Sequence, residues 1–131
     1  IVIDASWGLG EMVVSGVVTP DNFTVEKVLM EIIGRKISDK HVELVGDAEA
    51  GEAVEREVSE DRRHKQCLSD AEVVAVAALA KRLEKQNKCP QDVEWAIDAD
   101  LAWSQARFSD GDAAGPFIPG AASTTARVAS A

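Results

Sequence analysis

Apolar and polar positions along the chain fall into three rhythms. From the first residue to about Val45, short apolar or alternating runs are punctuated by turn-forming residues, the pattern of strands joined by turns. "IVID" predicts a first strand, which "SWGLGE" breaks with two glycines. "MVVSGVV" predicts a second strand, with Gly16 at a bulge or close backbone approach. "TPDN" (Thr19 to Asn22) has the composition of a turn. "FTVEKV" alternates, with Phe23, Val25 and Lys27 on one face, and "LMEIIGRKISDKHVELV" predicts two short strands around Gly34. The acidic stretch from Gly46 to Glu60 reads as a loop or hairpin with one exposed strand, and "SEDRRHKQC" as a solvated connector.

The second rhythm begins at Ser69. "SDAE" fits a capping box, in which Ser69 accepts from the free amides and Glu72 reaches back. The spacing that follows predicts a helix over about 70–87, with Val73, Val76, Ala77, Ala80 and Leu83 on one face. Lys81, Arg82, Lys85 and Lys88 load its C-terminal half, as the helix dipole favours, and Asn87 and Pro90 mark its end. The expected class is α+β: an antiparallel β-meander with one main amphipathic helix.

The third rhythm is "QDVEWAIDADLAWSQAR", Gln91 to Arg107. With Asp98-Ala99-Asp100 as its turn, Asp92, Glu94 and Ala96 share one strand face, and Val93, Trp95 and Ile97 the other. Pairing across the turn sets Glu94 opposite Gln105 and Asp92 opposite Arg107. Two readings of this polar face stay open. One is an edge hairpin with a surface salt bridge of little energetic weight. The other is a phosphate and metal site: Glu94 and Gln105 offer hard oxygens to Mg²⁺, and Arg107 offers fixed donors to a phosphate. Beyond the hairpin, residues 109–131 are dominated by Gly, Pro, Ala, Ser and Thr, the composition of a flexible or disordered tail.

Composition narrows the function classes. A chain of 131 residues is one domain with a modest core. The net charge of −9 argues against sequence-independent nucleic-acid binding, but leaves room for a nucleotide, which needs a few local cations and a metal. The apolar runs are too short for a membrane span, and the given residues carry no charged-then-apolar leader. A cytoplasmic location is expected. Cys67 and Cys89 lie outside any CxxC pair, so zinc is not expected, and reduced thiols are favoured while a disulfide stays open. "GLGEMVVSG" is neither G-x-G-x-x-G nor a Walker A loop.

Four blocks, "ASWGLGEMVVSGVVTPDNFTVEK", "ISDK", "ERxVSEDRRHKQCLSDAEV" (x for any residue) and "CPQDVEWAID…SQAR", together resemble the nucleotide-binding region of the phosphoenolpyruvate synthase and pyruvate phosphate dikinase family, which includes rifampicin phosphotransferase. The resemblance runs from Ile1 to about Arg107. It implies an ATP-grasp fold, with residues 1–108 as the C-terminal part of that module. It also implies that Asp92, Glu94, Gln105 and Arg107 line the nucleotide, that Glu94 and Gln105 coordinate Mg²⁺, and that Arg107 contacts phosphate. The glycines of "GLGE" are implied to form a tight loop near the nucleotide, with Glu11 either an acid behind the site or part of the turn. Phe108 stands where the family usually has proline, and "DADLAW" is shorter than the usual connection.

The resemblance further implies an ATP-dependent phosphotransferase that phosphorylates a carrier histidine. The family's ATP-contacting lysine and arginine lie upstream of the matching blocks, and no Thr-x-Gly-Gly histidine loop follows Arg107. His41 and His64 sit in other contexts and are expected as surface or core residues. This chain alone is therefore expected to be weakly active or inactive, with the phosphoryl acceptor chosen elsewhere. The alternative is a non-catalytic fragment acting as a binding or assembly module, a homo-oligomer joined through an exposed sheet edge.

Overall fold

The computed structural model describes residues 1–47 and 51–97, and the backbone of 124–129. Elements follow in the order β1 (Val2–Trp7), α1 (Glu11–Val14), β2 (Asp21–Val25), β3 (Ile32–Lys36), β4 (Val42–Asp47), β5 (Glu52–Glu57), α2 (Glu60–Arg63), α3 (Asp70–Asn87), β6 (Asp92–Ile97) and β7 (Thr124–Ala129). A five-stranded sheet has the order β3-β2-β1-β7-β6, every neighbour antiparallel. β4 and β5 form a separate antiparallel ribbon. The α+β class with antiparallel sheets and few helices is as expected.

The helix forms for the local reasons read from the sequence. Ser69 Oγ accepts from the Glu72 amide at 3.3 Å, and the Glu72 carboxylate accepts from the Ser69 amide at 2.7 Å. Such a cap is worth about 1 kcal/mol. Lys88, at φ 58, closes the helix in a left-handed conformation. Val73, Val76, Ala77 and Ala80 turn inward onto Ile3 and Ala5 of β1, Phe23 and Val25 of β2, and Trp95 and Ile97 of β6. Each large apolar side chain so buried contributes about 1.5–3 kcal/mol before entropy is charged against it. A smaller core of Met12, Val18 and Val42 joins α1 to the β4–β5 ribbon.

Several strand expectations need correction. β1 continues through Ser6 to Trp7 instead of ending at Asp4. "MVVSGVV" is not a strand: Glu11–Val14 forms one helical turn, with the Val13 and Val14 amides both donating to Gly10 O at 3.0 Å. Gly16, at φ +74, then reverses the chain so that the Val18 amide reaches Met12 O. Tertiary packing wins here, because burying Met12 with Val18 and Val42 requires the turn. Gly34 does not divide two strands but lies inside β3, opposite Thr24. The break falls at Ile37–His41, where Ser38 and Lys40 bind Asp21 instead of continuing a ladder. "SEDRRHKQC" holds α2, whose Arg62 is half-buried, and so is more than a solvated connector.

β5 is exposed along its whole length, as expected. Cys67 is buried, Cys89 is exposed, and both are free. His41 and His64 lie at the surface. Within the stretch expected as a flexible tail, the backbone of Thr124–Ala129 forms β7, between β1 and β6. Residues 101–123 lie outside the described residues. No helix among the described residues is long and apolar enough to cross a membrane.

Candidate functional site

Strand alternation sorts β6 as the sequence predicts. Trp95 and Ile97 are buried in the main core and Val93 packs against it, whereas Asp92, Glu94 and Ala96 face outward. Gln105 and Arg107, and the turn proposed at 98–100, lie outside the described residues, so the expected pairs Glu94–Gln105 and Asp92–Arg107 fall there too. Among the described residues β6 pairs with β7, with Glu94 in register with Arg127 and Asp92 with Ala129.

The register carries the outward face across the sheet. Asp4 of β1 is also in register with Arg127, and Asn22 of β2 with Asp4, so Asn22, Asp4 and Glu94 occupy one crosswise row. The Asn22 amide donates to Asp4 Oδ1 at 2.8 Å. Asp4 was not singled out in the sequence, although the alternation in "IVIDAS" sets it apart from the buried Ile3 and Ala5.

Mg²⁺ takes one or two protein carboxylates and completes its octahedron with phosphate oxygens and water. Glu94, an exposed hard-oxygen donor on a rigid strand, fits that share. Among the described residues no group of three or more His, Cys, Asp and Glu side chains comes together.

β1 and β6 run parallel on either side of β7. Trp7 and Ile97, both in register with Thr124, place their carboxyl ends at one end of the sheet. The glycine loop leaves β1 at this end. Gly8 has φ +79, and an added Cβ would lie 2.4 Å from the Leu44 carbonyl oxygen, so no other residue fits without moving β4. The Leu9 amide donates to that same oxygen at 2.7 Å. Glu11 is exposed at the start of α1. Trp7 is buried in the main core rather than open to a ligand; its indole N–H donates to Arg62 O at 3.2 Å, and the Arg62 guanidinium lies 4.5 Å over its ring.

Two buried acids behind this surface escaped the sequence reading. Asp21, fully buried, accepts from Lys40 Nζ at 2.6 Å, from the Ser38 amide at 2.9 Å and from the Cys67 amide at 3.0 Å. Burial, and next the charge of Asp21, push the Cys67 thiol well above its ordinary value, so it stays protonated and unreactive. Glu43 accepts from Arg56, its cross-strand partner, at 2.8 Å and from both terminal nitrogens of Arg62 at 3.3 Å. Asp21 belongs to a segment that reads as a turn and Glu43 to one that reads as a strand, and their partners are distant in sequence.

Residues 1–110 match the family described as pyruvate phosphate dikinase, AMP/ATP-binding domain. Curated relatives agree. A "Probable phosphoenolpyruvate synthase" of Methanothermobacter thermautotrophicus is 41% identical over 108 residues, covering 82% of this chain and 16% of that protein. The phosphoenolpyruvate synthase of Pyrococcus furiosus is 40% identical over 105 residues, covering 76% of this chain and 13% of that protein. An uncharacterized phosphotransferase of Bacillus subtilis is 42% identical over 108 residues, covering 82% and 13%. The chain therefore spans well under a fifth of the length of these relatives.

Proposed function

The chain belongs to the pyruvate phosphate dikinase AMP/ATP-binding domain family, and from that premise we propose that it is the ATP-binding portion of a cytoplasmic phosphotransferase of the phosphoenolpyruvate synthase type, the C-terminal part of an ATP-grasp module. Asp92, Glu94, Gln105 and Arg107 contact the nucleotide, and Glu94 and Gln105 hold Mg²⁺. The observation that carries this reading is the outward face of β6, where Asp92 and Glu94 stand exposed while the alternate residues are locked into the core. That anchoring fixes where the carboxylates stand before a ligand arrives, which lowers the ordering cost of binding.

When bound, Mg²⁺ would offset the charge on the phosphate oxygens. The chain's own part is to orient the nucleotide on the sheet face and to present donors from Arg107 to a phosphate. The chain alone is weakly active or inactive. Titration calorimetry with Mg·ATP tests this: binding that is lost in Glu94→Ala supports the reading, and no heat at millimolar nucleotide overturns it. A second reading, a non-catalytic homo-oligomeric assembly module, draws on the exposure of β5. Glu52, Glu55 and Glu57 on that strand oppose edge-to-edge pairing, so the nucleotide reading is preferred. A concentration-dependent mass in light scattering, without nucleotide binding, would reverse that preference.

A further inference from the structure

The geometry points to Arg62 as a positioning residue that holds the Gly8–Gly10 loop at the end of the nucleotide site, an inference that rests on the nucleotide reading above. A closed circuit of contacts carries it. Trp7 ends β1, and its indole is held by Arg62 twice, through the N–H bond to the Arg62 carbonyl at 3.2 Å and through the guanidinium 4.5 Å over the ring. The same guanidinium forks onto both oxygens of Glu43 at 3.3 Å. Glu43 precedes Leu44, whose carbonyl oxygen takes the Leu9 amide at 2.7 Å and blocks any Cβ on Gly8. Gly8 and Leu9 follow Trp7, and the circuit closes. α2 is itself fixed from its far side, where the Lys40 amide donates to Arg63 O at 3.1 Å.

The loop so clamped leaves the sheet at the end where β6 also finishes, a few residues beyond Glu94. A nucleoside triphosphate seated on Glu94 is long enough to reach that end, so loop position bears on affinity. Arg62 touches Trp7 and Glu43 together, a task that needs a planar, forked, stackable cation. Arg56 is a built-in contrast. It pairs with the same carboxylate but is 61% exposed, and the guanidinium that lies over the Trp7 ring is that of Arg62.

The experiment compares Arg62→Met, Arg62→Lys and Arg56→Met with the unaltered 131-residue chain. It reads amide hydrogen exchange at Leu9 and affinity for Mg·ATP. Arg62→Met should speed Leu9 exchange and weaken Mg·ATP binding by about tenfold. Arg62→Lys, which keeps the charge and is the milder change for folding, should not restore either. Arg56→Met, which removes the same charge beside Glu43, should leave both near the unaltered values. Unchanged Leu9 exchange and affinity in Arg62→Met overturn the inference, as do equal effects from Arg56→Met, which would make charge rather than clamping the cause. If the unaltered chain fails to bind Mg·ATP while Leu9 exchange still follows Arg62, the nucleotide reading falls and takes the functional half of this inference with it.

Discussion

Asp21 and Glu43 are both buried carboxylates, and the fold answers them differently. Asp21 is sealed: its lysine partner is as fully buried as it is, and the backbone amides of Ser38, in the lysine's own segment, and of Cys67 complete its shell. Glu43 is sealed only on its own side, with two arginines reaching it from partly open positions, 61% and 32% exposed. The first arrangement has no second cation among the described residues. Losing Lys40 would strand a charge in the interior and release the 37–41 segment, so it behaves as a fixed clasp. The second is redundant for charge but not for shape, because either arginine neutralises Glu43 while only Arg62 also grips Trp7. A buried ion pair is therefore read by asking what else its partners hold, not by its distance alone.

The largest expected effect breaks the sealed clasp. Lys40→Met leaves Asp21 buried without its cation and should cost about 3–5 kcal/mol in urea unfolding. A loss below about 1 kcal/mol would mean that the amides of Ser38 and Cys67 suffice for the carboxylate. The matching change at the open site, Arg56→Met, should cost no more than about 1 kcal/mol, since Arg62 remains. A cost near that of Lys40→Met would erase the contrast.

A smaller effect sharpens the same contrast through pH. The Cys67 thiol is raised by burial and by Asp21, so the unfolded state loses this proton first as pH rises. Its contribution is fully present below the ordinary cysteine value of 9.0 and declines as pH climbs above it. Urea midpoints should fall on the alkaline side of that value, and the fall should be smaller in Cys67→Ala. Exposed pairs give the opposite slope. Arg63 holds the Asp39 carboxyl below its usual range, and Arg35, then Gln66, do the same for Asp70. Whatever these surface pairs add is present at neutral pH and fades as pH falls.

Legibility in the sequence followed the range of the forces. α3 was readable because its capping box, apolar stripe and stop signal are all local. The faces of β6 were readable because alternation needs no knowledge of the partner strand. α1 was not, since "MVVSGVV" has the composition of a strand and becomes a turn only through Met12 meeting Val18 and Val42. The Asp21–Lys40 clasp joins a segment that looks like a turn to one that looks like a strand, across nineteen positions. α2 looked like a charged connector until Arg62 was seen on Trp7, fifty-five positions away. Of the residues in the predicted site, Asp92 and Glu94 face outward from β6, while Gln105 and Arg107 fall outside the described residues.

The central claim is that the outward face of β6 receives a nucleotide, and amide chemical shifts during a Mg·ATP titration test it most directly. Shifts should concentrate at Asp92–Ile97 and at Gly8–Glu11, saturate together and vanish in Glu94→Ala, with β5 silent. Shifts that avoid β6, or that persist unchanged in Glu94→Ala, would contradict it.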